Sequence, residues 1–436
     1  MITYKKHYKS LIVLGVPIII GQMGTIVQSF ADTVMVGHYG TLELSSAGFT
    51  NNVFNLILIA MMGFSYGSTP VIGGYYGRGD QLDAGRVMKE SILSNIMVWA
   101  LALFAATIVY VNLENMGQPS ELMHLIKPYF LVLLASLLPQ AIFNAMKQFC
   151  DGVADTRTPM WIMLMGNVLN IIGNYCLIFG KFGFPQLGIA GAAIGSSLAE
   201  MVSVIFFIIY TWKKIDYKKY GMFSFTGIDF RMLKQILNVS IWIMVQHGIA
   251  FIGWFIFFVV MEHQGERPLA ITNVVRSISS FLFMFVNAFA STSSSLVSNL
   301  IGSGKSDQVM GLCGRMIRLC YFFVLPLGIL IALFPDLVLR IYTDNPDLIQ
   351  SSVPSLWVML SSYILAVPAF IYFFSVSGTG NTQVALWIDM ASILVYVSYT
   401  FLVGVWLHAD VAVCWTTEHV YNGMLFIAFF YLWKGN

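Results

Sequence analysis

One carboxylate lies inside a long apolar stretch near the start of the chain. Asp32 is the only charged residue of Leu11–Gly40, a segment about one membrane span in length. A carboxylate at membrane depth is costly, so it is functional by default and needs a partner. Asp32 is therefore the first candidate for binding an ion. The alternative is a structural ion pair, for which Lys127 is the cation at similar depth in the same half of the chain.

Three asparagines recur at helical spacing in a later apolar stretch. Asn167, Asn170 and Asn174 are three and four residues apart, so they share one face of a helix. Amide oxygens together with one carboxylate suit a small hard cation such as sodium. The same carboxylate, once removed from water, favours its protonated form and could instead carry a proton. The competing interpretation is hydrogen bonding between packed helices, and it stays open for Asn167 in particular.

A second polar site is a further candidate, because other ionisable and polar groups also lie inside apolar stretches. Its candidate residues are Glu200, Gln246, His247, Arg276 and Glu418. Arg276 and Glu418 can simply neutralise each other, and His247 is more typical of packing than of proton transfer. Asp389, near one end of its stretch, is interpreted as an interface residue.

Generic aromatic, methionine and amide side chains are candidates for lining a binding cavity. They are Gln28, Tyr129, Met146, Phe251, Trp254 and Met284.

No constellation of residues for catalysis is present in the sequence. The motif HExxH is absent, and Gly63–Gly67 (GFSYG) matches GxSxG only inside an apolar stretch, without the strand and turn that a nucleophile elbow needs. Gly304–Ser306 resembles the end of a phosphate-binding loop, but Asn299 stands where its first glycine belongs. We therefore expect neither enzymatic activity nor a cofactor. A resident metal is not expected either, beyond a transient sodium ion at Asp32.

Composition restricts the class of protein. Of 436 residues, 58% are hydrophobic and 10% are charged, whereas soluble domains average about 25% charged residues. A chain this long with so little charge predicts a polytopic membrane protein in a lipid bilayer. The net charge of +2 gives no reason to expect nucleic acid as a partner. The five cysteines show no metal-binding spacing and are interpreted as packing residues.

Twelve apolar stretches are long enough to be membrane-spanning helices, which need about 20 mostly apolar residues. They are roughly 11–36, 47–72, 88–111, 122–146, 159–180, 189–212, 235–261, 269–300, 314–342, 352–377, 384–407 and 410–433. With the N-terminus inside, eighteen lysines and arginines fall on the inner side and five on the outer side. This bias predicts cytoplasmic N- and C-termini.

The two halves of the chain repeat each other. A shift of 225 residues places Leu11–Gly40 on Ile236–Gly265, and Asp32 then falls on Phe257. A shift of 226 places Gly152 on Gly378. We predict an N-lobe at 1–220 and a C-lobe at 221–436, each with six helices and joined through the polar segment Lys213–Lys234. An even number of spans gives both halves the same topology, so they are related by a pseudo-twofold axis along the membrane normal, with a path between them.

Several segments resemble the MATE (multidrug and toxic compound extrusion) transporters of the exporter–flippase (MOP) superfamily. The segments, which follow one another in the family's order across essentially the whole chain, are ADTVMVGHYG (31–40), GFSYGSTPVIGGYYGRGD (63–80), DGVADTRTP (151–159), NVLNIIGNYCLIFGKFGFPQLGIAGAAIGSS (167–197) and LVSNLIGSGKSD (296–307).

This resemblance implies an all-α membrane protein, with two six-helix bundles in a V shape. It implies alternating access and antiport, in which protons or sodium ions enter while organic, often cationic, drugs leave. The family's cation-coupling residues map onto Asp32, Asn170, Asn174 and Ser196. The family often has an aspartate where Asn174 stands, so one charge is missing here. No acid lies within 236–261 or in the tenth span, so a C-lobe ion site is expected to be absent or rebuilt from other residues.

Two alternatives differ from drug export. A flippase for a lipid-linked saccharide or lipid would need a cationic cavity for phosphate, and only Arg276 lies deep in a span. A membrane enzyme or scaffold would not explain the duplication. We expect a monomer in the inner membrane of a bacterium.

Overall fold

The computed structural model describes residues 2–116, 120–214, 217–221 and 227–435, and all regular structure in these ranges is helical. The helices of the first half are α1 (Ile2–Tyr39), α2 (Thr41–Tyr66), α3 (Ser68–Arg78), α4 (Gln81–Asn112), α5 (Met123–Gly152), α6 (Arg157–Phe179), α7 (Ile189–Lys214) and α8 (Tyr217–Tyr220). Those of the second half are α9 (Phe230–Gln264), α10 (Glu266–Gly302), α11 (Val309–Leu333), α12 (Pro335–Leu339), α13 (Pro346–Gly378), α14 (Thr382–Phe401), α15 (Val411–Cys414), α16 (Thr417–Leu425) and α17 (Ile427–Gly435).

Eleven helical segments in the described ranges are long and apolar enough to cross a membrane. Many of their large apolar side chains face outward, as Phe104 and Phe322 do at 68% and 72% exposure. This is the pattern of a surface solvated by lipid. The prediction of an all-α membrane protein is confirmed, and α2 with α3 forms a single span (Thr41–Arg78).

The predicted twelfth span is helical but not continuous. Around Trp415 the backbone tightens, because the N–H groups of Thr416, Glu418 and His419 donate to the carbonyl groups three residues earlier rather than four. These turns divide α15 from α16, and a second tightened turn, with the Phe429 N–H donating to the Phe426 carbonyl, lies where α16 gives way to α17.

The described chain forms two compact units. One comprises Pro17–Met244, and the other comprises Met1–Val16 with Val245–Asn436. Each unit thus takes part of α1 and part of α9. The predicted division between residues 220 and 221 stays a prediction, and the join Lys213–Lys234 lies partly outside the described residues.

Helix ends repeat between the halves as the sequence predicts. With a shift of 225, the end of α1 at Tyr39 matches the end of α9 at Gln264, and the start of α2 at Thr41 matches the start of α10 at Glu266. The helix-ending glycine Gly79 has a left-handed backbone (φ 84°). Its partner in the repeat is Gly304, with φ 72°. The duplication therefore extends to local backbone conformation.

One close approach of helices also occurs in both halves. A Cβ on Gly152 would lie 3.2 Å from the carbonyl oxygen of Thr69. A Cβ on Gly378 would overlap the carbonyl oxygen of Ser294, the repeat partner of Thr69. Glycine at these two positions lets the helices approach closely.

We predict that Gly378→Ala destabilises the protein, because its methyl group would lie 2.9 Å from the Cα of Ser294. Overpacking of this kind costs about 1–3 kcal/mol. The measurement is the apparent melting temperature in detergent, which should fall by several degrees. Gly314→Ala on α11 is the matched control, because a Cβ there meets no atom within 4 Å. Equal melting temperatures for the two variants would contradict the close approach.

Candidate functional site

Four predicted residues form one chain of hydrogen bonds on α1, α6 and α7. The Asn174 Nδ2 donates to Asp32 Oδ1 at 2.7 Å and to Asn170 Oδ1 at 3.1 Å. The Asn170 Nδ2 donates to Ser196 Oγ at 2.9 Å. We call Asp32, Asn174, Asn170 and Ser196 the carboxylate–amide network. It brings a carboxylate, two amides and a hydroxyl together within one unit.

The turn between α6 and α7 determines which residues of the two helices lie opposite each other in this network. α6 ends at Gly180 in the left-handed conformation (φ 65°). The Leu187 N–H then donates back to the Leu177 carbonyl at 2.9 Å. A Cβ on Gly191 would lie 2.6 Å from the Leu177 carbonyl, so α7 packs directly on the backbone of α6. This contact places Ser196 opposite Asn170.

Asn174 is fully buried, and its amide is held from both sides. Its Nδ2 donates both hydrogen bonds of the network, while its Oδ1 has no partner among the described residues. That oxygen faces Gly195, where an added Cβ would overlap it. An unpaired acceptor beside the Asp32 carboxylate is the kind of oxygen that a small cation can use as a ligand.

Two further candidates belong to the same unit. Gln28 precedes Asp32 by one helical turn on α1, so the two residues lie on the same face of that helix. The Tyr129 hydroxyl donates to Asn51 Oδ1 at 3.1 Å. Tyr129 is buried and packs in the core of its unit with residues such as Leu137. The predicted role of Gln28 and Tyr129 in lining a substrate cavity stays a prediction.

Asp32 forms no ion pair within the part of the chain that the structure describes. Lys127, the alternative partner, pairs with Glu114 instead. The sequence could not distinguish Asp32 from Glu114 as the partner of Lys127, because contacts between helices depend on how the helices pack. Only amide donors compensate the Asp32 charge in the described structure.

Arg276 and Glu418 form an ion pair inside an aromatic cage. Their Nη1 and Oε1 atoms are 3.8 Å apart, and both side chains are largely buried. The guanidinium carbon lies 4.8 to 5.5 Å from the centres of four aromatic rings, within range for cation–π attraction. The rings are Trp254, Phe257, Phe258 and Trp415. The sequence did not reveal this cage, because its rings come from α9 and from the α15–α16 turn.

The other candidates of the second polar site lie in different places. Glu200 is in the unit Pro17–Met244, where Gln140 Nε2 donates to its Oε1 at 3.3 Å. Gln246 is buried and His247 is half-buried on the part of α9 that belongs to the other unit. Asp389, buried in that unit, accepts from the Tyr421 hydroxyl at 2.9 Å. Neither Gln140 nor Tyr421 was a candidate from the sequence.

The remaining cavity candidates divide by burial. Met146 and Met284 are buried in cores at 4% exposure each. Phe251 packs on Trp254 with ring centres 5.8 Å apart, and Trp254 is 36% exposed. In the described residues no cluster of His, Cys, Asp and Glu could hold a metal ion. All five cysteines are free and buried.

The fold and the network define a duplicated, multi-pass membrane protein with a half-buried carboxylate inside a span. A family model described as MatE matches residues 17–176 and again residues 243–402, with the second match beginning 226 residues after the first. These matches cover more than half of the chain. The chain belongs to the MatE family, the MATE transporters.

Similar proteins agree with this assignment. The chain is 26% identical over 418 residues to a probable multidrug resistance protein NorM of Thermotoga maritima, covering 92% of this chain and 88% of the relative. It is 27% identical over 358 residues to the corresponding Bacillus cereus protein, covering 79% and 76%. Relatives of this family are transporters.

Solved structures show the same fold. An outward-facing multidrug resistance MATE transporter of the MOP superfamily superposes with a TM-score of 0.90 at 19% identity, covering 98% of this chain and 95% of that chain. A MOP superfamily transporter from Pyrococcus furiosus superposes with a TM-score of 0.86 at 19% identity, with the same coverage. The predicted twelve-span MATE fold is thereby confirmed.

We predict that Gly195→Ala breaks the carboxylate–amide network, because the new methyl group overlaps Asn174 Oδ1. Transport that depends on the network should fall at least tenfold while the protein stays folded. The measurement is substrate efflux from proteoliposomes at equal protein content. Gly173→Ala is the control, since its Cβ would meet only Gly195 Cα at an ordinary 3.7 Å. Equal rates for the two variants would remove Asn174 from the site.

Proposed function

We propose that the chain is an antiporter that exports organic, often cationic, drugs and toxic compounds in exchange for protons or sodium ions. It works by alternating access, and Asp32 is its coupling residue. Asn174, Asn170 and Ser196 hold and tune that carboxylate. The family, and relatives named as multidrug resistance proteins, support the substrate class.

One observation carries the proposal. The Asp32 carboxylate lies among helices long and apolar enough to span a membrane, yet among the described residues its hydrogen-bond partner is the Asn174 amide rather than a cation. An uncompensated carboxylate in such surroundings is unfavourable, and a bound proton or sodium ion removes the penalty. Either ion can be lost and regained in each cycle, which a fixed lysine or arginine partner would prevent.

The bound ion acts by changing the packing of α1. With its charge cancelled, Asp32 no longer needs the Asn174 amide donor that joins α1 to α6. Pro17 lies inside α1 and removes one backbone hydrogen bond, so it is a natural place to bend. At Gly24, an added Cβ would lie 2.8 Å from side-chain atoms of both Asn167 and Leu164, so α1 packs closely against α6 at this position. The ion shifts the conformational equilibrium by binding one conformation better than the other.

Lipid-headgroup transport is less well supported. A phosphate would need exposed cationic groups, and Arg276 is already paired with Glu418 and surrounded by rings. We therefore propose small organic cations and drugs as substrates. We also propose a monomer in a bacterial inner membrane with both termini in the cytoplasm.

The test is ethidium or norfloxacin efflux from proteoliposomes with either a proton or a sodium gradient. Wild type should export under one of the two gradients, which identifies the ion. Asp32→Asn keeps the shape of the side chain but cannot change its charge, so gradient-driven export should fall to the level of empty liposomes. The same variant should still bind the drug.

Asp389→Asn is the matched control, because it neutralises a different carboxylate inside a span, one that is buried and accepts from the Tyr421 hydroxyl. It should export at nearly the wild-type rate. Export by Asp32→Asn at the wild-type rate would refute the role of Asp32. No export by wild type under either gradient would favour the flippase.

A further inference from the structure

A second carboxylate lies one helical turn from the carboxylate–amide network. Glu200 follows Ser196 by four residues on α7, so the two side chains share a face and are about 6 Å apart along the axis. Ser196 is the last member of the network, through its bond from Asn170. Glu200 lies about 17 Å along α7 from its first residue, which is near the middle of that span.

The contacts of Glu200 resemble those of Asp32. Its Oε1 accepts one hydrogen bond, from the Gln140 amide on α5, and no ion pair joins it to any residue in the described ranges. α7 packs against α5 and α6. The titratable or charged groups of α5 are His124, Lys127, Tyr129, Lys147, Cys150 and Asp151, and those of α6 are Arg157, Tyr175 and Cys176.

None of these groups supplies a fixed counter-charge to Glu200. Lys127 pairs with Glu114, and Lys147 pairs with Asp151 at 2.7 Å. Lys147 also lies two helical turns beyond Gln140 on α5. Arg157 is the first residue of α6, at the end of that helix farthest from Asn174.

The buried carboxylates Glu90 and Asp151 of the same unit are compensated differently. Asp151 has Lys147 as a partner. Glu90 accepts the backbone N–H of Asp229 at 2.9 Å, next to the start of α9 where the helix dipole favours negative charge. Asp32 and Glu200, both at membrane depth, instead each accept a hydrogen bond from a neutral amide. The donor to Asp32 is Asn174, and the donor to Glu200 is Gln140. This arrangement needs an added cation.

We propose that Glu200 is a second proton-binding carboxylate of the transport cycle. It takes a proton from water on one side of the membrane, forming an O–H bond, and releases that proton to water on the other side, leaving the carboxylate. A proton fits better than sodium, since Gln140 offers Glu200 an N–H donor rather than an oxygen ligand. With protons as the coupling ion at Asp32 as well, each exported drug molecule exchanges for two protons. This inference rests on the proposed antiport.

The test counts protons released when ethidium binds to the purified full-length transporter, using a pH-sensitive dye in weakly buffered detergent solution. Wild type should release two protons for each ethidium bound, and Glu200→Gln should release one. Glu200→Asp keeps the carboxyl group and should restore two. Asp389→Asn is the control and should also release two.

A second measurement does not depend on any variant. The proton-to-drug ratio of wild type follows from the pH gradient that exactly balances an imposed ethidium gradient in proteoliposomes. A ratio of two supports the inference, whereas a ratio of one, or equal proton release from wild type and Glu200→Gln, overturns it while leaving the antiporter intact. Absence of any gradient-driven export would instead refute the antiporter itself.

Discussion

The Asn174–Asp32 hydrogen bond is the interaction on which the site depends. A carboxylate among membrane-spanning helices needs compensation, and here an amide on a neighbouring helix supplies it at 2.7 Å. That amide is correctly oriented only because α7 approaches α6 closely at Gly195. The left-handed turn at Gly180 sets the approach. The backbone geometry of one helical hairpin thus determines the environment of a charge on a third helix.

The duplication shows that the fold does not require this site. In the repeat, Asp32 corresponds to Phe257 and Asn170 to Tyr396. These two aromatic side chains contact each other, with ring centres 6.3 Å apart, within a buried cluster that includes Trp415. The same helix arrangement thus holds polar groups in one unit and aromatic rings in the other. Glycines such as Gly378 recur in both halves because a side chain there would prevent the close approach of two helices. The network residues do not recur in the second half.

The sequence predicts those features that depend on local patterns. Apolar runs locate the spans, repeated glycines reveal the duplication, and the spacing of Asn170 and Asn174 puts both on one helix face. Contacts between helices depend on the rotation of each helix about its axis, which no local pattern determines. The partner of Lys127, the donor to Glu200 and the aromatic cage of Arg276 are all of this kind. The sequence does not predict that the twelfth span is divided, because the tightened turns around Trp415 involve no glycine or proline that would mark them.

Charge is distributed unequally between the two units. In one unit, the Arg276 guanidinium forms an ion pair with Glu418. The pair is neutral overall, and aromatic rings surround the guanidinium. The unit Pro17–Met244 instead holds Asp32 and Glu200 with amide donors and no fixed cation in the described structure. In the unit that contains Arg276, Asp389 also has a neutral donor, the Tyr421 hydroxyl, so carboxylates held in this way are more numerous in Pro17–Met244 among the described residues. In the proposed antiport, an ion bound at Asp32 would shift the conformational equilibrium only through its different affinity for the two conformations.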